Sequence, residues 1–416
     1  MKQITKKLNC RFCSASLNQN FLDLGSSPIS NTYPIEAELN SMEPFYPLKV
    51  YVCEKCLLVQ LPEHQTPREL FGTDYAYFSS YSDTWLAHAE KYAKEMVRRF
   101  SLNPESQVIE VASNDGYLLK YFKKLGIKVL GIDPAANVAK AAQDAGIETM
   151  VKFFGTKTAE EIVGLGLRAD LVAGNNVLAH VPDINDFVRG LKMILKPQGV
   201  ITMEFPHLAR LIEENQFDTI YHEHFSYFSF LVVQKIFKAH GLTVFDVEEL
   251  STHGGSLRIF AAHSENKKFA VGPNVEELLK KERTADFDKL ETYQDFQKKV
   301  DETKRKLLTF LIDAKNEGKS VAAYGAPAKG NTLLNYCGIR EDLVGYTVDR
   351  SPHKQNRYLP GTHIPIFAPK KISETKPDYL FILPWNIKEE VMEQMAEVRS
   401  WGGKFLVAIP EVKIFP

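Results

Sequence analysis

Four of the five cysteines stand in two tight pairs, Cys10/Cys13 and Cys53/Cys56, while Cys337 stands alone. Two C-x-x-C turns supply four thiolates for a tetrahedral Zn2+, and a set made only of cysteine leaves no open position. Such a metal staples a small core; a redox dithiol is the other use of a pair at this spacing. The densest chemical cluster is Tyr221-His-Glu-His-Phe-Ser-Tyr227. His222 and His224 are two apart, which aligns them only on extended backbone and argues against an H-E-x-x-H metal site. An acid/base cluster fits better, because His titrates near neutrality and Glu223 and Tyr221 are natural orienting partners. Packing in a satisfied loop is the plainer alternative. Asp74-Tyr-Ala-Tyr-Phe-Ser-Ser-Tyr81 adds hydroxyls for the same cleft, or an aromatic contact between domains.

Two loops carry the remaining chemistry. Val108-Ile-Glu-Val-Ala-Ser-Asn-Asp-Gly116 keeps one glycine where a dinucleotide fingerprint has three. Asp133, after the next strand, suits the ribose of either NAD or S-adenosylmethionine. The missing glycines favour S-adenosylmethionine, which packs no pyrophosphate on the loop. Glu110, Asn114 and Asp115, with Asn175 at the end of a later strand, are the other cofactor candidates. Ala323-Tyr-Gly-Ala-Pro-Ala-Lys-Gly-Asn331 follows an apolar strand and opens a helix, a setting that favours phosphate, although it is no Walker A loop. Lys329 and Asn331 here, with the basic cluster Arg350, His353, Lys354 and Arg357, are candidates for a diphosphate. A solvated charge run is the alternative for that cluster.

The elements that must position these residues alternate in a recognisable way. Residues 1–72 read as a Pro-dotted zinc module of turns and short strands. Ser82 to about Arg99 reads as a helix, with Trp85, Leu86, Ala89, Tyr92, Ala93 and Met96 on one face. From Gln107, β and α segments alternate: strands at Gln107–Val111, Lys128–Ile132, Ile147–Val151, Leu171–Asn175 and Gly199–Phe205, then Leu242–Val247 and Leu257–Ala262. That predicts an α/β fold with a parallel, doubly wound sheet over residues 73–265. Residues 266–416 predict a second α/β domain, entered by a long linking helix over 274–316. Its strands are expected at Ser320–Tyr324, Val344–Val348, Tyr379–Leu383 and Lys404–Ala408.

The composition narrows the function. The 416 residues hold 51 basic and 52 acidic side chains, a net charge of −1, with 44% hydrophobic and 25% charged residues. A balanced charge excludes a generic polyanion binder, and the cysteine segment lacks the basic–aromatic stripe of a nucleic-acid module. No apolar run approaches the ~20 residues of a membrane helix. The start shows basic residues without an apolar core, so a cytoplasmic location is expected.

Together the segments resemble the sugar C-methyltransferases of deoxysugar biosynthesis, specifically the C-3'-methyltransferases acting on nucleotide-linked 4-keto-6-deoxysugars. The resemblance covers essentially the whole chain. It rests on Thr219-Ile-Tyr-His-Glu-His-Phe-Ser-Tyr-Phe228, Ser113-Asn-Asp-Gly116, Tyr324-Gly-Ala-Pro-Ala-Lys-Gly-Asn331 and Pro360-Gly-Thr-His-Ile-Pro365. It implies zinc on Cys10, Cys13, Cys53 and Cys56, a class I, Rossmann-like methyltransferase domain holding S-adenosylmethionine, and a nucleotide-sugar between the central and C-terminal domains. It places the catalytic histidine at His224, beside Glu223 and Tyr221, with Tyr75 and His180 as further active-site residues and Tyr77 competing for the role of Tyr75. His224 would take the C3 proton, Glu223 would hold or polarise its ring, and Tyr75 or Tyr221 would donate to the C4 oxygen. The rivals are an O-methyltransferase on a sugar or small molecule, an NAD-dependent nucleotide-sugar oxidoreductase, and a non-catalytic binding protein.

Overall fold

The computed structural model describes residues 8–71, 75 and 77–416. Residues 1–7, 72–74 and Ala76, which include the start of the chain and part of the tyrosine-rich segment, lie outside them.

Alternation of apolar and polar residues builds an antiparallel N-terminal sheet from β1 (Gln19–Ser27), β2 (Tyr46–Val52) and β3 (Val59–Gln60). Residues Pro28, Pro34 and Pro44 fall in the connection between the two long strands, where a missing N–H breaks no ladder. The chain then supplies β4 (Gln107–Val111), β5 (Lys128–Asp133), β6 (Thr149–Val151), β7 (Ala169–Asn175) and β8 (Leu195–Pro206). The two-residue β9 (Ser226–Tyr227), β10 (Leu242–Leu250) and β11 (Ser256–His263) follow.

The central sheet has the order β10-β11-β8-β7-β4-β5-β6, parallel from β8 to β6 and antiparallel at the β10–β11–β8 edge. Its inner strands are mostly apolar along their length because helices cover both faces. The helix Asp83–Phe100 is one of those covers. Ser82 caps it by accepting from Trp85 N, and Trp85, Ala89, Tyr92, Ala93 and Met96 are the face it buries.

β9 interrupts the expected division of the chain. It belongs in sequence to the central α/β region, yet pairs antiparallel with β3 and completes the N-terminal sheet. The segment carrying His224 is thereby joined to the cysteine module by backbone hydrogen bonds.

The linking helix predicted over 274–316 is broken. Helices Pro273–Thr284 and Phe296–Asn316 are separated by a turn in which Asp286 takes a positive φ of 59°. The break swings Phe287 and Tyr293 inward, to 3% and 0% exposure. Tyr293 and Phe296 then pack on Phe21 of β1, with ring centroids 6.3 and 5.4 Å away. A continuous helix would leave Phe287 out of phase with the face formed by Val300, Leu307 and Leu311.

The C-terminal sheet contains β12 (Val321–Tyr324), β13 (Thr347–Val348), β14 (Ile366–Phe367), β15 (Tyr379–Ile382), β16 (Lys404–Val407) and β17 (Lys413–Phe415), in the order β14-β13-β12-β15-β16-β17. Both large sheets reverse direction in the middle, β4 lying between β5 and β7 and β12 between β13 and β15. A crevice opens at the carboxyl ends of strands at such a reversal. Here the two crevices open into one cavity.

Candidate active site and metal centre

The four sulfurs of Cys10, Cys13, Cys53 and Cys56 lie within 4.8 Å of one another. Each pair closes the same turn: Ser14 N donates to Cys10 O and Leu57 N to Cys53 O, and Ser14 and Leu57 both take positive φ. The sulfurs compete for protons. Hydrogen bonds from Cys53 and Cys56 drive the Cys10 thiol far below its ordinary value, while Cys53 itself is pushed up to about 11. Four clustered soft donors with negative charge among them fit Zn2+, with no position left for a substrate. The set fits a structural ion.

The cavity between the two large sheets holds about 810 Å3. On the central-domain side it is lined by Asn114 after β4, Asp133 at the end of β5, Asn175 at the end of β7 and Asn176 just beyond it. The loop after β4 is strained: Ala112 and Asn114 take φ of 59° and 49°, in the left-handed region that costs a non-glycine residue free energy. Gly116 has φ +78° and a Cβ there would meet Ile147 at 3.0 Å, which explains the one glycine retained. Asn114 N donates to Asp133 Oδ2 and Ala135 N to Asp133 Oδ1, both at 2.9 Å, so the carboxylate braces the loops it faces. Burial pushes its pKa up to about 6. The buried amide of Asn175 has no partner for either polar atom among the described residues. An unpaired amide and a carboxylate facing one cavity fit the polar groups of S-adenosylmethionine. Glu110 and Asp115 do not line the cavity. Glu110 is fully buried beneath it, where desolvation holds its carboxyl well above the usual range, and Asp115 accepts from Ser80 N at 3.0 Å.

The centre of the cavity carries the histidines. Leu178–His180 is a short 3-10 turn after β7, and it sets the His180 ring 4.7 Å from that of His224, edge to face. His224 Nδ1 lies 2.8 Å from Thr219 O, and a carbonyl oxygen can only accept. The proton therefore sits on Nδ1, and Nε2 is the acceptor for the Tyr221 hydroxyl at 2.8 Å. Desolvation, helped by the neighbouring His180, holds His224 well below its ordinary pKa, and burial lowers His180 to about 4. Both rings are neutral at pH 7.

Glu223 does not orient the His224 ring, contrary to the expectation; the Thr219 carbonyl does. Glu223 faces the other way, accepting from Asn31 Nδ2 at 2.6 Å and from Tyr75 OH at 3.1 Å. Its burial pushes the carboxyl up to about 7, with the Asn31 and Tyr75 hydrogen bonds opposing the shift. The same burial, with the Glu223 charge, holds the Tyr75 phenol well above its ordinary value. Tyr77 also lines the cavity, and its carbonyl accepts from Asn114 Nδ2.

A pH dependence of stability follows from Glu223. A raised carboxyl favours the folded state fully below its ordinary value of 4.5, and that advantage is lost as pH rises through about 7. At roughly 1.4 kcal/mol per pKa unit, the loss is on the order of 3 kcal/mol. Glu223→Gln is expected to flatten this part of the curve of Tm against pH between 4.5 and 8. An identical slope in the variant would show that the carboxyl is not the source.

The C-terminal side contributes Lys329 and Lys354. Lys329 Nζ donates to Asn386 Oδ1 at 2.7 Å and lies 4.6 Å from the centre of the Trp385 ring. Lys354 Nζ donates to Ala326 O at 2.9 Å. Gly325 makes that corner possible: its φ is +89°, and a Cβ would stand 2.6 Å from Pro384. Asn331, Arg350 and Arg357 do not line the cavity. Asn331 donates to Ser30 O, Arg350 pairs with Asp83 at 3.6 Å, and Arg357 donates to Tyr33 O. These side chains tie the C-terminal domain to the rest of the chain.

Asn31, His253, Asn176 and Asn386 line the cavity and carry no local signature in the sequence. Asn31 sits in a Pro-flanked connection, 192 residues from the carboxylate it binds. The Gly254-Gly255 pair after His253 was the one available signal, marking a tight approach: a Cβ on Gly254 would meet Trp385 at 2.5 Å.

Comparison with known proteins finds matches along the whole chain. Residues 10–71 match a family model for a zinc binding domain, 85–247 one for a methyltransferase domain, and 251–410 one for a C-methyltransferase C-terminal domain. The chain is 35% identical over 415 residues to the C-methyltransferase NovU of Streptomyces niveus, covering 100% of this chain and 98% of that protein. A ubiquinone biosynthesis O-methyltransferase of Methylobacterium sp. (strain 4-46) is 34% identical over 97 residues, 22% of this chain and 38% of that protein. The PH0226 protein of Pyrococcus horikoshii OT3 aligns with 45% of this chain and 95% of its own at 15% identity and a TM-score of 0.37. Among the described residues no helix is long and apolar enough to cross a membrane. With a cavity that fits its cofactor and a relative matched end to end, the chain belongs to the C-methyltransferase family, as an S-adenosylmethionine-dependent enzyme with a four-cysteine zinc module.

Proposed function

We propose that the chain methylates C3 of a nucleotide-linked 4-keto-6-deoxysugar. The observation that carries the reading is the placement of His224, Tyr221 and His180 in one cavity with Asn114, Asp133 and Asn175 on one side and Lys329 and Lys354 on the other. When bound, S-adenosylmethionine supplies a methyl group on a positively charged sulfur. The chain's residues must make a carbon nucleophilic beside it. His224 is neutral and its Nε2 lone pair accepts from the Tyr221 hydroxyl; once that hydroxyl turns to the substrate, the lone pair is free to take the proton released from C3. The electron pair of the broken C–H bond moves toward the C4 ketone. A phenol, Tyr221 or Tyr75, donates to the C4 oxygen as charge develops there. Lys329 and Lys354, cationic at the C-terminal end, suit the diphosphate. Apolar side chains such as Phe71, Val111, Ile132 and Phe187 line much of the same cavity, and that low polarity strengthens each of these contacts.

The test is solvent hydrogen exchange at C3 of such a sugar in D2O, followed by NMR with S-adenosylhomocysteine present. Exchange at C3, absent from the His224→Asn variant, is expected. Methylation of a plain hydroxyl sugar without C3 exchange would replace the reading with O-methylation. Asp133→Ala is expected to weaken S-adenosylhomocysteine binding at least about tenfold, some 1.4 kcal/mol, by calorimetry; unaltered affinity would move that contact elsewhere.

A further inference from the structure

Arg11 lies inside the first cysteine turn, Cys10-Arg-Phe-Cys13, and its guanidinium points away from the sulfurs toward the cavity wall. Nη1 donates to Pro182 O at 2.7 Å and Nη2 to Leu61 O at 2.5 Å. Pro182 is two residues beyond His180. Leu61 N in turn donates to Phe225 O at 3.0 Å, and Phe225 directly follows His224. The guanidinium also stacks over the Phe225 ring, 5.3 Å from its centre, and Phe225 N donates to Ala179 O at 2.7 Å. One side chain thus holds both histidine-bearing segments.

We propose that Arg11 is a positioning residue that clamps the His180 turn and the loop carrying His224 at the separation their chemistry requires. This rests on the reading of the two histidines given above. The base of the clamp is rigid. Arg11 N donates to Gln60 Oε1 at 2.9 Å, Gln60 Nε2 donates to Cys10 Sγ at 3.2 Å, and Asn185 Nδ2 donates to the carbonyls of Arg11 and Phe12 at 3.1 and 2.9 Å. The cysteine turn is in this way fixed to the helix Ile184–Ile194 of the methyltransferase domain. A planar fork suits two carbonyls at a set spacing, and a lysine reaches one of them at a time. The function of the zinc module therefore extends to the geometry of the base.

The experiment compares Arg11→Met and Arg11→Lys with the wild-type chain. It measures zinc content, S-adenosylhomocysteine affinity, kcat and KM, and the imidazole signals of 15N-histidine-labelled protein. Arg11→Met is expected to retain its zinc, to keep affinity and KM within about threefold, and to lose at least about thirtyfold in kcat, since a displacement near 1 Å costs about a hundredfold. Its His224 signals should change from a fixed Nδ1–H tautomer to an averaged pair, with Arg11→Lys intermediate. Wild-type kcat and imidazole signals in Arg11→Met would overturn the proposal, and so would zinc loss in parallel with the loss of rate. If Arg11→Met does not fold, Arg11→Lys decides: zinc retained with reduced kcat supports the clamp, and wild-type behaviour removes it. Altered imidazole signals in Arg11→Met together with normal turnover by His224→Asn would leave the clamp standing and refute the role of His224.

Discussion

Replacing His224 by Asn is expected to lower kcat by at least about a thousandfold while leaving S-adenosylhomocysteine affinity unchanged. General-base catalysis contributes about a hundredfold to ten-thousandfold, and the upper part of that range applies where no other base is poised. His180, the nearest imidazole, is buried with its pKa lowered to about 4, and Glu223 is turned toward Asn31 and Tyr75. Neither replaces the Nε2 that faces Tyr221. Cofactor affinity should survive because the braces around Asn114 and Asp133 involve no atom of His224. Tyr221→Phe separates the roles further: it keeps the base and removes the phenol, so a smaller loss is expected. The readouts are single-turnover methyl transfer and calorimetric titration. A near-normal single-turnover rate in His224→Asn would remove this residue as the base.

Cys53→Ser is expected to release the zinc and to lower Tm by at least about 10 °C. Structural zinc binding in small modules is worth about 10–16 kcal/mol, and loss of one thiolate leaves three clustered donors without a tetrahedral set. Cys53 is fully buried, so its serine hydroxyl would also lack the solvent it needs. The damage should spread, because β3 pairs with β9, which begins two residues after His224. Metal content by emission spectrometry and a thermal scan check the result. Unchanged zinc in Cys53→Ser would sink the four-cysteine assignment.

Much of this was legible in the sequence, for local reasons. The cysteine pairs carry their own turn geometry, with the residue after each second cysteine in the left-handed region. The βαβ alternation marked both sheets because a strand buried on two faces must be apolar along its length. Strand positions agreed to within a few residues, and the largest difference, β8 beginning at Leu195 and not Gly199, coincides with a register shift against β7. The break at Asp286 was not legible, since Thr284-Ala-Asp-Phe-Asp288 carries neither glycine nor proline and the turn depends on Phe287 finding a core.

By itself the sequence determined the metal donors, the two α/β units and the stretch around His224, because each is a short-range pattern: sulfur spacing, hydrophobic period and a dense run of titratable side chains. Only the tertiary structure decided what those residues face. Glu223 turned to Asn31, Thr219 set the tautomer of His224, and Arg350 and Arg357 were drawn to Asp83 and the Tyr33 carbonyl. Each partner is either a backbone carbonyl, which every residue carries, or a side chain remote in sequence. Hydrogen-bond direction is settled by the donor or acceptor that packing brings within about 3 Å, and no one-dimensional pattern encodes that neighbour.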